Sequence, residues 1–197
     1  MTRRVVRSVA ALSAAALLAL DAVACTDRTA SAPRYALGRA PTAAEIAARD
    51  VDVGPDGAGL PAGHGSVAEG AAVYARLCAS CHGANGEGKP PAYPTLVGRD
   101  PQAEGFAFGK DPRLVRTIGN YWPYATTVFD YVRRAMPQTA PGSLTDDEVY
   151  AITAYLLAAN QVIPTSATLD SASLAAVKMP YVDRFVRDDR RGGKEVK

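Results

Sequence analysis

Three cysteines, two histidines and three methionines are all the soft-ligand chemistry this 197-residue chain holds. Two of the cysteines and one histidine fall together in Cys78-Ala79-Ser80-Cys81-His82. Thiols three residues apart have the spacing to add to the two vinyl groups of one haem, and the histidine that follows is placed to coordinate its iron. Covalent attachment keeps such a group in a small protein. A disulfide, a thioredoxin-like redox pair and half a zinc site compete for the same cysteines. The redox pair should follow a strand, whereas a helix is expected here, and a zinc site needs further Cys or His that the chain lacks.

Iron has a sixth position, and a methionine thioether there raises the reduction potential relative to a second histidine, which suits electron transfer. Met136 and Met179 are the candidates besides the initiator. Met136 is the better placed, in a loop stiffened by Pro137, with Arg133, Arg134 and Gln138 as polar neighbours that give a core methionine little company. His64, in a glycine-rich turn, reads as a solvated loop residue.

These residues need elements to carry them. Ser66 and Glu69 form a capping box, and Val67, Gly70, Tyr74 and Leu77 recur on one side, so a helix delivers Cys78 at its end. Gly83, Gly86 and Gly88, then Pro90, Pro91 and Pro94, predict a loop without strands, suited to wrapping a flat ligand. Asp111-Pro112 predicts a short helix through Arg116 or Ile118. A further helix is expected from Thr126 to Ala135, stopping at Met136-Pro137. Thr145 and Glu148 start the last one, with Val149, Ile152, Tyr155 and Leu156 on one face, ending near Asn160.

The flanks read differently. Arg3, Arg4 and Arg7 precede an apolar run from Val9 to Leu20, which is an export signal over residues 1–24 and too short to span a membrane. Cys25 follows Ala22-Val23-Ala24, where a lipoprotein signal places its lipidated cysteine; ordinary cleavage nearby is the competing reading. Residues 25–65 are a linker or surface-hugging arm, 66–163 the folded domain, and 164–197 a tail with a charged end. Loss of residues 1–24 removes three arginines and Asp21, leaving 19 basic against 19 acidic residues. A neutral mature chain names no polyanionic partner, nucleic acid included.

On these motifs the chain resembles the class I c-type cytochromes from Ser66 to Ile163. The resemblance implies an all-α class I cytochrome c fold, with helices packed around one covalently bound haem, an extended N-terminal arm and a C-terminal tail. It implies that the first and last helices cross at Gly70, Tyr74 and Tyr155, and that the Pro94 carbonyl accepts a bond from the His82 ring nitrogen facing away from iron. A narrower likeness lies in Thr117-Ile118-Gly119-Asn120-Tyr121-Trp122-Pro123-Tyr124, running on to Met136-Pro137, and in Ser143-Leu144-Thr145-Asp146-Asp147-Glu148. These stretches are similar to the cytochrome subunits of bacterial sulfite and sulfane dehydrogenases, the SoxD type. Those subunits accept electrons from a molybdenum-cofactor subunit that oxidises sulfur. Sulfane dehydrogenase cytochromes tend to be longer and to carry two haems, whereas this chain has one CxxCH.

Read by themselves, Trp122 and Tyr124 pair apolar bodies with hydrogen-bonding tips, as suits haem propionates or ordinary core packing. The expectation is therefore a periplasmic electron carrier and no enzyme in its own right. Its haem is bonded by Cys78 and Cys81 and ligated by His82 and Met136, and it works between a molybdoenzyme and a downstream cytochrome or oxidase. A general periplasmic shuttle and a haem sensor or enzyme with an open iron site are the rival readings. A haem-incidental interaction module acting through the arm and tail is a third.

Overall fold

The computed structural model describes residues 37–98 and 105–186; the expected signal and Cys25 lie outside the described residues. The chain divides into two units, residues 1–46 and 47–197. In the first, the Thr42 hydroxyl accepts from Glu45 N at 3.2 Å and opens a short helix, α1 (Ala43–Ala47), beside an Arg39–Glu45 ion pair.

The second unit holds the core. A short strand, β1 (His64–Ser66), leads directly into α2 (Val67–Leu77), and a single turn, α3 (Ala79–His82), follows. Helices α4 (Ala125–Ala135) and α5 (Asp146–Ala159) come next. A second strand, β2 (Thr168–Asp170), then pairs antiparallel with β1, Gly65 opposite Leu169, before α6 (Ser171–Ala175). Both expected capping boxes form: Ser66 Oγ accepts from Glu69 N at 3.2 Å, and Thr145 Oγ1 from Glu148 N at 3.3 Å.

Helices α2 and α5 meet where the sequence allows the closest approach. A Cβ on Gly70 would stand 1.8 Å from the Ala151 carbonyl oxygen and 2.8 Å from Tyr155 Cβ, so only glycine fits. One turn on, the rings of Tyr74 and Tyr155 lie 4.9 Å apart. Around this crossing Tyr150, Phe129, Val149, Leu157 and Leu174 are fully buried, joined by Ile152 at 1 % exposure.

The short helix expected from Asp111 does not form, since residues 111–120 are turns and extended chain. The Asp111 carboxylate accepts from Arg113 N at 3.0 Å and pairs with the Arg113 guanidinium, closing a local turn in place of a cap. A 3-10 turn, Ala107–Gly109, lies just upstream. In the glycine- and proline-rich loop the regular pairing amounts to one bridge between Lys89 and Tyr93.

Residues 53–61 of the arm and 169–179 of the tail join the core. Val53 is buried with its N–H donated to Asp130 Oδ1 at 2.9 Å, and the Tyr150 hydroxyl donates to Pro61 O at 2.7 Å. From the tail, Leu169, Leu174 and Met179 are buried in the main cluster. No helix among the described residues is long and apolar enough to cross a membrane.

Candidate functional site

Helix α2 ends at Leu77 with Cys78 as its C-cap, the Cys78 N–H donated to Tyr74 O at 2.8 Å. The chain then tightens into α3, where Cys81 N and His82 N both donate to Cys78 O, at 3.2 and 2.9 Å. One turn thus presents two half-buried thiols and an imidazole together, and the thiols are not joined to each other. Burial, and then the neighbouring Cys81, push the Cys78 thiol up to about 11. A redox-active CxxC nucleophile is held low instead.

Glycine and proline fold the next loop back onto that turn. Gly88 N donates to His82 O at 2.7 Å, and Leu96 N and Val97 N both donate to Gly86 O, at 2.8 and 3.0 Å. These bonds bring the Pro94 carbonyl oxygen 3.1 Å from His82 Nδ1. A carbonyl only accepts, so Nδ1 carries the proton and Nε2 keeps the lone pair a metal needs. The rings of Tyr93 and His82 meet edge to face, centroids 6.2 Å apart. Lys89 Nζ donates to Ser80 O at 2.6 Å, tying the loop to the motif from the other side. A thiol pair on one helical turn, beside an imidazole with its free nitrogen fixed, is the donor set that haem c requires.

Met136 follows α4 directly, its N–H donated to Val132 O at 3.1 Å and its side chain half-buried against the main core. Met179 is 3 % exposed inside that core. His64 is an exposed residue of β1. Trp122 gives its indole N–H to Thr127 Oγ1 at 2.8 Å, and Thr127 in turn donates to Tyr124 O at 2.9 Å, so the indole donor is already engaged. Tyr124 is exposed.

Residues 67–160 match the cytochrome c family model. The sulfane dehydrogenase SoxCD of Paracoccus pantotrophus, a solved structure, is 44 % identical, with a TM-score of 0.68 over 78 % of this chain and 72 % of that one. The chain belongs to the cytochrome c family. Its cofactor is haem c, attached covalently through the CxxCH at Cys78 and Cys81. The cytochrome is also 28 % identical to a thiosulfate dehydrogenase of Stutzerimonas stutzeri (strain A1501) over 121 residues, 59 % of its own length. It spans about a third of that relative, 34 %. Electron transfer is the chemistry these relationships are consistent with.

Sequence reasoning passed over Tyr93 and three buried polar residues, Thr117, Asn120 and Asn160. The first three sit in motifs with no chemistry of their own, and Asn160 reads as nothing more than a helix end. Thr117 bonds Gly98 and Asn160 bonds Leu96, Gly98 and Gly119, far along the chain, which spacing does not reveal, whereas Asn120 bonds Val115 and Thr117 close by.

Proposed function

We propose that this cytochrome is the haem subunit of a sulfur-oxidising dehydrogenase of the periplasm. It takes single electrons from a molybdenum-cofactor partner and passes them to another cytochrome or an oxidase. The 44 % identity to sulfane dehydrogenase, sustained over 72 % of that chain, carries this reading. A haem held here would supply the one-electron ferric/ferrous chemistry.

The chain's own residues do the rest. Cys78 and Cys81 would tether the haem, and Pro94 O holds the Nδ1 proton so that His82 Nε2 would be free to coordinate iron. Met136, anchored at the end of α4, would offer the iron a soft thioether, which favours the reduced state.

Two measurements test this. In reduced and oxidised spectra, Met136→Ala is expected to turn a six-coordinate low-spin haem into one with an open site; an unchanged spectrum removes Met136 as ligand. The tagged cytochrome captured from its host is expected to bring molybdenum with it, and its haem to be reduced when sulfite or a sulfane donor is added. Capture without molybdenum, or haem that stays oxidised, leaves a general shuttle.

A further inference from the structure

Asn160 caps α5 and is 1 % exposed, yet its carboxamide spends only one bond on its own helix, Nδ2 to Leu156 O at 2.9 Å. The other three reach across the molecule. Nδ2 also donates to Leu96 O at 3.1 Å, while Oδ1 accepts from Gly119 N at 3.1 Å and from Gly98 N at 3.3 Å. All four hydrogen-bonding positions of the carboxamide are therefore used. A Cβ on Gly119 would stand 2.7 Å from Asn160 Oδ1, so that glycine is what lets the loop reach the carboxamide.

From the far side, Thr117 Oγ1 donates to Gly98 O at 2.6 Å and Ile118 N to Leu96 O at 3.1 Å. Asn120, 2 % exposed, holds this strip in shape by accepting from Thr117 N at 2.8 Å and donating to Val115 O at 3.0 Å. Residues 96–98 are thus gripped between the end of α5 and the Thr117–Asn120 strip. Two residues upstream on the same extended segment lies Pro94, the acceptor for His82 Nδ1.

We infer that Asn160 is a positioning residue for His82: by fixing Leu96 and Gly98 it holds the Pro94 carbonyl against Nδ1, and so sets the orientation and basicity of the imidazole. The inference rests on the reading of His82 as an iron ligand. Its physical content is that the bond from Nδ1 enriches the ring's electron density and favours ferric iron, so that loosening the segment weakens the bond and raises the midpoint potential.

The test uses the full-length holoprotein. Asn160→Ala removes the bonds to Leu96 and Gly98 together with the one to Gly119. The His82 Nδ1 proton, followed by NMR, is expected to exchange with solvent roughly five- to thirtyfold faster, as befits a local opening made easier by one or two hydrogen bonds. The midpoint potential is expected to rise. Thr153→Ala is the control, since Thr153 is fully buried on α5 and bonds Val149 O of its own helix at 2.7 Å. It should lower the melting temperature while leaving exchange and potential in place.

If Asn160→Ala does not take up haem, Thr117→Val, which cuts the hydroxyl bond to Gly98 O, carries the same expectations. Unchanged exchange and potential in the variant that folds, or equal changes in Thr153→Ala, overturn the clamp. Wild-type protein with no haem-shifted imidazole signals from His82 overturns the ligand reading, and the clamp with it.

Discussion

At the scale of single residues, the two candidate methionines are told apart by what surrounds them. Met179 lies in a core with Leu169 and Leu174, where a flexible thioether fills space. Met136 sits half-exposed at a helix end with its backbone pinned. Met179→Ala is therefore expected to cost about 2–5 kcal/mol, the range for large-to-small changes in a packed core, with the haem spectrum unaltered. Thermal unfolding of the holoprotein beside its oxidised spectrum checks this. A spectral change would mean that Met179 reaches the iron after all. The CxxCH was legible because its chemistry is local: both thiols and the imidazole share one turn, and residue spacing alone places them. The carboxamide of Asn160 was not legible, because three of its four partners lie about 40 to 64 residues away in the chain.

Among the elements, the helix crossing is the feature on which the site depends, because α2 delivers Cys78 and α5 delivers Asn160. Gly70→Ala drives a methyl into the Ala151 carbonyl of the facing helix, and backbone cannot swing aside as a side chain can. The gain in helix propensity, about 1 kcal/mol for Gly to Ala, is outweighed by overpacking that typically costs about 1–3 kcal/mol and more against backbone. Lower melting temperature and poorer haem yield are the expected outcome; a variant as stable as wild type would mean that the helices slide apart at little cost.

The same elements show why patterning succeeded in places and failed in others. Capping boxes with an apolar stripe specify α2 and α5 by short-range bonds, so both were read from Ser66-Glu69 and Thr145-Glu148. Asp111-Pro112 carries the same kind of start signal, but Arg113 answers the carboxylate within two residues and Ile118 N bonds Leu96 O across the molecule in place of a carbonyl of its own turn. Strands β1 and β2 are three residues each and pair with one another across about a hundred residues of chain, which no local pattern announces.

For the folded unit as a whole, the arm before β1 and the tail after α5 are parts of the packing. The described part of the tail reaches an aromatic group where Phe106 stacks on Tyr121 at 5.8 Å and meets Phe185 and Tyr181, with Arg116 lying 5.1 Å over the Tyr121 ring. The arm is fastened chiefly by α4. The Asp130 carboxylate accepts from Val53 N and pairs with Arg134, which also stands 3.5 Å from Asp52, while Thr126 Oγ1 donates to Pro55 O at 3.1 Å. Burial works against the charged form of Asp130, but the bonds from Arg134 and Val53 N win and hold its carboxyl below the usual aspartate value. A carboxyl depressed by folding contributes stability that is fully present above the unfolded pKa, about 3.9. That contribution is lost as pH falls from there through the lower native value.

Asp130→Asn keeps an acceptor for Val53 N and loses the charge. The variant should therefore be less stable than wild type at neutral pH, with the gap closing below about pH 4. Asp130→Ala strands the buried N–H of Val53 and should cost about 1–3 kcal/mol that acid does not restore. Denaturant melts of the three holoproteins from pH 3 to 7 separate these outcomes. Parallel curves for wild type and Asp130→Asn would show that the latch works by its hydrogen bond alone, with no contribution from charge.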